Sequence, residues 1–352
     1  MINKRYLNAL LQAPSPSGYE NDAIQVFSNE MKKFSKFENI DAVENAIFSL
    51  GHGETKIMLS AHIDEIALQI QNIDDKGFIH FINDGGIDSK VLLGSSVAIK
   101  TENGIIYGVI GKMPLHVEYY TEDKDKATKI KDMKIDIGAE SKEEAQKLVS
   151  IGDPIIIKDI PLELGENRFC GRGLDDKVGI YVVTEVMRKL SKHFEKSNIG
   201  EKYTIHGVAC TQEETSGSGA VNAAAVLNPN YSIDYDVTFA TDDEYVSPNE
   251  WGDIKLGKGG AIAHGVDSNQ EMTKLVKDTC REFNIPYQEF SVHSGCTNTV
   301  CIKQSTPNVK TLLLSIPNRN MHTQVEICDY RDLESLVEMS YLTVLKLLKL
   351  LK

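Results

Sequence analysis

The sequence has little that would suit a membrane, a nucleic acid or an oxidising compartment. No apolar run approaches the ~20 residues of a transmembrane helix, and residues 1–6 lack the apolar region of a signal peptide. The six cysteines form no CxxC pair, which predicts reduced thiols and excludes a zinc finger. A net charge of −13 without long basic clusters argues against anionic partners. We therefore expect a cytoplasmic protein with no membrane or nucleic-acid partner.

The length of 352 residues exceeds what one hydrophobic core needs and predicts two domains. Strand-like and helix-like segments alternate over much of the chain, which is typical of an α/β fold. Between residues 68 and 161 the pattern changes to short β-like runs separated by glycine turns. We interpret residues 1–67 and 162–352 as a catalytic domain. Residues 68–161 are predicted to form an inserted β domain that serves assembly or gating.

A histidine and an aspartate end the first strongly apolar strand, which covers residues 56–66. His62 and Asp64 are two residues apart and therefore lie on the same side of an extended backbone. This spacing suits a metal ligand and the carboxylate that orients it. A lone buried histidine more often makes a structural hydrogen bond. The paired aspartate favours the ligand interpretation.

Two adjacent carboxylates, Asp175 and Asp176, lie between a glycine-rich turn and an apolar helix. A helix N-terminus accommodates one carboxylate as a cap, which would explain a single aspartate. Two aspartates in a row beside a buried helix face indicate a metal site instead.

Acidic and histidine side chains also follow three later strands of the predicted sheet. The carboxyl ends of parallel strands form the ligand crevice of an α/β sheet. An acidic surface turn would explain any one of these groups, but not their repetition. The strands cover residues 203–211, 236–241 and 309–317, and the groups that follow them are Glu213 with Glu214, then Asp242, then His322. Together they predict one metal-binding constellation.

These groups occur in the order used by the M42 metallo-aminopeptidases, and the chain resembles that family over nearly its whole length. The resemblance implies a mixed β-sheet flanked by helices, a zinc-peptidase-like three-layer sandwich, with an inserted small β domain. It also implies two divalent metal ions, Zn²⁺ or Co²⁺, and removal of N-terminal residues from peptides by a metal-activated water. The family self-associates, so we expect a homo-oligomer between a dimer and a dodecamer.

The resemblance also implies a role for each candidate residue. Asp64 orients a metal ligand and Glu213 is the general base. The expected metal ligands are His62 and Asp242 for one ion, Glu214 and His322 for the other, and Asp175 as the bridge between them.

Three segments depart from the family pattern. Residues 215–218 lack the usual arginine, and residues 294–298 carry an amide, Asn298, where the family has an acid. Asp243 and Glu244 replace a turn of small residues and proline. If these two acids face the cleft, they predict a negative rim that repels acidic N-terminal residues. If they face solvent, the pocket is neutral.

Two other functions remain open at this stage. A related two-metal enzyme removes acyl groups or trims carboxyl termini, and it would use the same metal ligands. A catalytically idle assembly subunit is the second alternative, but it would leave the intact ligand set and Glu213 unexplained.

Overall fold

The apolar strands of the sequence lie side by side in one large sheet. The structure is a computed structural model, and it describes residues 2–118, 127–158, 161–291 and 297–351. Among these residues the α-helices are α1 (Lys4–Gln12), α2 (Asn21–Met31), α3 (Leu115–Glu118), α4 (Lys142–Ala145), α5 (Leu174–Phe194), α6 (Ser218–Leu227), α7 (Pro248–Trp251), α8 (Gln270–Phe283), α9 (Asn298–Ser305) and α10 (Tyr330–Leu350).

The strands form three separate sheets. They are β1 (Lys36–Ile40), β2 (Ala46–Gly51), β3 (Thr55–His62), β4 (Ala67–Ile73), β5 (Ile79–Asp84), β6 (Ser96–Thr101), β7 (Gly104–Ile110), β8 (Ile135–Asp136), β9 (Pro154–Ile157), β10 (Leu162–Leu164), β11 (Arg168–Gly171), β12 (Tyr203–Cys210), β13 (Tyr231–Phe239), β14 (Gly260–His264), β15 (Tyr287–Ser291), β16 (Lys310–Asn318) and β17 (Glu326–Asp329).

The largest sheet has the order β1-β2-β12-β3-β13-β16-β14-β15, and its central strands run parallel. Helices α1, α2, α5 and α10 cover one face, and α6 and α9 cover the other. This arrangement confirms the predicted mixed sheet between two helical layers. None of the described helices is both long and apolar enough to cross a membrane.

Side chains alternate between the two faces of this sheet, and the alternation places the polar groups. In β3 the residues Ile57, Leu59 and Ala61 enter the core beneath α5, so His62 points to the opposite face. In the neighbouring parallel strand β13, Asp234 is level with Ser60. Two residues further along both strands, His62 and Asp236 therefore become neighbours.

A closed antiparallel barrel with the strand order β4-β5-β8-β7-β6-β9 occupies the stretch where the sequence predicts an inserted β domain. It has its own apolar core, which includes Ile70, Phe81, Ile99 and Ile155. The small β barrel is therefore confirmed. Its role in assembly stays a prediction.

A buried charge cluster connects β3 to the start of α5. The Nζ atom of Lys177 lies 2.9 Å from Glu65 Oε1 and donates a second hydrogen bond to the Ala13 carbonyl at 2.8 Å. Arg172 also pairs with Glu65. Burial raises the pKa of Glu65, but the two cations lower it by more, to about 2. The Glu65 carboxylate is therefore ionised and binds two cations between the end of β3 and the start of α5.

We predict that Glu65→Gln destabilises the protein by about 3–5 kcal/mol, because it leaves the fully buried Lys177 without its counter-ion. Urea unfolding measures the change. Glu338→Gln, which breaks a half-exposed pair with Lys189, is the matched control and should cost at most about 1 kcal/mol. The contribution of Glu65 is fully present above its ordinary pKa of 4.5 and is lost as the pH falls towards about 2. Equal effects of the two substitutions at pH 7 would contradict this account.

Candidate active site

A cavity of about 550 Å³ opens at the carboxyl edge of the large sheet. Its described lining comes from β3, β13, β15 and β16, from α7, α9 and the start of α5, and from the loops after β12 and β16. The charged members of that lining form one cluster, which consists of His62, Asp175, Glu213, Glu214, Asp236 and His322. The predicted convergence at this edge is therefore observed for five of the seven sequence candidates.

The Asp175 carboxylate lies between two imidazole rings. His62 Nε2 is 2.9 Å from Asp175 Oδ1, and His322 Nε2 is 3.4 Å from Asp175 Oδ2. The same atom of His322 is 3.5 Å from Glu214 Oε2. Each carboxylate oxygen thus has its own imidazole nitrogen, which is the arrangement expected of a carboxylate that is shared between two binding positions.

Asp236 completes the cluster on the side of His62. Its Oδ1 atom is 3.9 Å from His62 Nε2, and its side chain is buried. The structure does not bring Asp242 to this place. The Asp242 carboxylate accepts hydrogen bonds from Arg319 Nε at 2.8 Å and from the backbone of Leu256 at 3.2 Å. We therefore replace Asp242 with Asp236 in the candidate ligand set.

The sequence pattern and the structure differ over Asp242 because they place the end of β13 at different residues. The sequence pattern predicts a strand that runs to residue 241 and is followed directly by Asp242, but β13 ends at Phe239 and Asp242 lies further along the loop. The signal that identifies Asp236 is the alternation within β13. Ile233 and Tyr235 face the apolar core, whereas Asp234 and Asp236 occupy the positions between and after them, on the face that carries His62.

Two buried carboxylates fix the loop that carries both glutamates. Asp64 accepts the backbone N–H groups of Glu213 at 3.0 Å and Glu214 at 3.1 Å. Glu20 accepts the N–H of the preceding residue, Gln212, at 3.1 Å. Asp64 Oδ1 also lies 3.4 Å from Nδ1 of His62, so the residue predicted to orient this histidine is placed to do so. Three consecutive amides are thus held, and the loop has a defined conformation.

A third buried carboxylate, Glu326, fixes the other side of the cluster. It accepts the backbone N–H of Asp175 at 3.1 Å and that of His322 at 2.9 Å. The Nδ1 atom of His322 makes a 2.7 Å hydrogen bond with the carbonyl of Gly86, in the loop after β5. Since that carbonyl can only accept, Nδ1 carries a proton, and Nε2 is the nitrogen that faces the cluster.

The start of α5 has special local geometry. Gly173 has a φ of 59°, and a Cβ atom there would lie 2.6 Å from Glu65 Oε2, so only glycine fits. The Asp175–Asp176 peptide bond is cis, and both residues have non-helical dihedral angles although they belong to α5. Regular helix therefore begins only at Lys177.

The cluster gathers more negative than positive charge away from water. Burial raises the pKa of Glu213 to about 7 and that of Glu214 well above its usual value, and the charge of Asp175 adds to both shifts. Burial lowers the pKa of His62, but hydrogen bonds with Asp175 and Asp64 raise it by more. Burial raises the pKa of Asp175, yet hydrogen bonds with both histidines bring it below its ordinary range.

The donor set fits divalent metal ions. His62, Asp175 and Glu214 each place a ligand atom within 4.8 Å of the others, and so do His62, Asp176 and Asp236. Asp176 Oδ2 is buried without a hydrogen-bond partner in the described structure. Mixed imidazole and carboxylate donors are the ligands of Zn²⁺ and Co²⁺. The described lining residues include buried acids but no lysine or arginine. A bound cation would therefore compensate the buried negative charge.

The sequence profile of the M42 glutamyl aminopeptidase family matches residues 45–339. The chain belongs to the M42 family. The lysyl aminopeptidase of Pyrococcus furiosus is 31% identical over 97% of this chain and 96% of its own length. The putative aminopeptidase FrvX of Escherichia coli is 25% identical over 98% of this chain and 96% of its own length. The resemblance stated from the sequence is thereby confirmed, and the family's members are hydrolases.

Solved peptidase structures share this fold over nearly their whole length. The TET1 peptidase of Pyrococcus horikoshii, which assembles into a tetrahedron or a large octahedral shell, superposes with a TM-score of 0.86 at 32% identity over 96% of this chain and 98% of its own. An aminopeptidase of Desulfurococcus kamchatkensis reaches a TM-score of 0.87 at 30% identity over 96% and 93%. The large sheet, its helices and the inserted barrel are therefore shared with these two peptidases.

The three segments that depart from the M42 pattern lie differently with respect to the cavity. Ser218, in place of the arginine, hydrogen-bonds with Ser216 at the start of α6. The Asp243 carboxylate accepts N–H groups of its own loop, and Glu244 is exposed; neither lines the cavity. The predicted acidic rim is therefore not formed by these residues. Positions 292–296, including most of the segment that ends at Asn298, lie outside the described residues.

Proposed function

We propose that the protein is a dinuclear metal-dependent aminopeptidase that removes N-terminal residues from peptides. The observation that carries this proposal is the Asp175 carboxylate, whose two oxygens face two separate groups of donors. His62 and Asp236 would hold one ion, and His322 and Glu214 would hold the other. Membership of the M42 family supports the choice of peptide substrates.

Zn²⁺ or Co²⁺ at these positions would supply polarisation of the scissile carbonyl and acidification of a water molecule. The protein's own contribution is positional. Asp64 and the Gly86 carbonyl fix the orientations of the two imidazoles, and Glu326 fixes the backbone from which two of the ligands extend. Such outer contacts hold ligands in the geometry that the reaction needs.

Glu213 is the proposed general base. Its carboxylate lines the cavity beside the cluster, while its backbone N–H is fixed by Asp64. It takes a proton from the attacking water and delivers it to the nitrogen of the leaving amine. A carboxylate that lines the cavity beside the proposed ligands is suited to both halves of this transfer.

A two-metal deacylase or carboxypeptidase would use the same donors, so the substrate must separate these functions. Release of the aniline from aminoacyl anilides with a free amino group supports the aminopeptidase. Release of acetate from N-acetyl amino acids instead supports the deacylase, and release of the C-terminal residue from N-blocked peptides supports the carboxypeptidase. No hydrolysis of any of these substrates in the metal-loaded protein supports the idle assembly subunit.

Asp236→Asn is expected to lower metal affinity by at least about 10–100-fold, because loss of a ligand should exceed the usual cost of losing an outer contact. Asp242→Asn is the matched control and should retain the full metal content, since its carboxylate binds Arg319 instead. Elemental analysis of metal per chain after dialysis, with calorimetric titration of Zn²⁺, measures both. Retention of metal in Asp236→Asn and its loss in Asp242→Asn would restore the assignment made from sequence.

Glu213→Gln should keep both ions and lower kcat by about 10²–10⁴-fold, because an amide cannot accept the proton. Glu244→Gln makes the same chemical change at an exposed position outside the cavity and should leave kcat unchanged. Stopped assays on metal-loaded samples of equal metal content measure the difference. Near-normal turnover of Glu213→Gln would place the base elsewhere.

The inserted barrel is the proposed assembly element. Ile105, Tyr107 and Val109 alternate along β7 and expose 42%, 62% and 50% of their surfaces, which is an apolar stripe on the barrel's outer side. We expect light scattering to give a multiple of 39.1 kDa larger than a dimer. Tyr107→Asp should reduce that mass, whereas Tyr245→Asp, at a 90% exposed position outside the barrel, should not. A monomer in the wild-type protein would refute the proposal.

A further inference from the structure

The cavity extends beyond the charged cluster into an aromatic recess. Phe239 is the last residue of β13 and lines the cavity, and at ~3.3 Å per residue its Cα atom is about 10 Å along the strand from that of Asp236. The ring of Phe239 meets the ring of Trp251 edge to face, with 4.9 Å between centroids. Trp251, at the end of α7, is the single tryptophan of the chain.

Phe290, on the edge strand β15, lines the same cavity. A Cβ atom on Gly252, directly after Trp251, would lie 3.2 Å from Phe290 Cβ, so the backbone that follows Trp251 lies against Phe290. Val237 and Leu313 continue the apolar lining. Among the described lining residues, every charged side chain belongs to the metal cluster and all others are neutral.

This lining decides which N-terminal side chain fits. In an aminopeptidase substrate only the N-terminal residue lies on the amino side of the scissile bond. Its side chain must therefore occupy the part of the cavity next to the charged cluster. A carboxylate or an ammonium group placed in the aromatic recess would lose its hydration without gaining a charged partner among the described residues. An apolar side chain gains from the same burial.

We propose that the recess formed by Phe239, Trp251 and Phe290 selects N-terminal residues with large neutral side chains, such as leucine and phenylalanine. The inference rests on the proposed aminopeptidase function and names the substrate class of the same site. It differs from the activities in the names of the family profile and of the Pyrococcus furiosus relative, which are glutamyl and lysyl.

The first test uses the metal-loaded wild-type enzyme with the p-nitroanilides of leucine, phenylalanine, alanine, lysine and glutamate. The values of kcat/KM for leucine and phenylalanine should exceed the other three by at least about tenfold, since burial of a large side chain is worth that much or more. A value for lysine or glutamate equal to or above that for leucine overturns the inference and leaves the aminopeptidase function standing. Cleavage of N-acetyl substrates alone overturns both.

The second test changes the recess. Phe290→Ala should lower the leucine-to-alanine ratio of kcat/KM about tenfold, with little change for the alanine substrate, because only a large side chain reaches the missing ring. Phe283→Ala removes a 47% exposed phenylalanine of α8 that does not line the cavity, and it should leave the ratio unchanged. An unchanged ratio in Phe290→Ala overturns the inference.

A binding measurement needs no turnover. Because Trp251 is the only tryptophan, its fluorescence reports occupation of the recess. Titration of the metal-loaded enzyme with L-leucine should give a saturable change at a concentration at least about tenfold lower than with L-glutamate or L-lysine. Equal or reversed affinities contradict the proposed selection.

Discussion

The shared position of the Asp175 carboxylate sets the geometry of the whole site, because one side chain must face His62 and His322 at once. The two histidines come from loops and strands more than two hundred residues apart in the chain. Their rings can meet the same carboxylate only if the backbone at the start of α5 is fixed. Glu326 and the charge cluster around Glu65 provide that restraint.

The site accumulates buried negative charge, and the surrounding backbone partly offsets it. Asp64, Glu20 and Glu326 are each buried, and each accepts backbone N–H groups of residues in or beside the cluster. Buried hydrogen bonds of this kind fix the positions of the groups that make them. The side chains that line the cavity are thus held in place by buried carboxyl groups that bind the backbone next to them.

Sequence patterns predicted the parts of the site that local periodicity controls. His62 follows an alternating strand and Asp175 precedes an apolar helix, and both lie where the pattern indicates. The sequence pattern does not predict Asp236 as a ligand, because the predicted ligands follow strands. Asp236 instead lies within β13, on its polar face. Contacts between distant segments, such as Glu20 with Gln212, have no local signal, since only the folded sheet brings them together.

The hydrogen bond between Gly86 and His322 joins the inserted barrel to the chemistry of the large sheet. The carbonyl belongs to the turn after β5, so the protonation pattern of a ring in the second half of the chain depends on the position of a turn in the first. A displacement of this turn would change the hydrogen bond that Nδ1 of His322 makes, and with it the restraint on the orientation of the ring. The inserted barrel therefore helps to orient one of the proposed metal ligands.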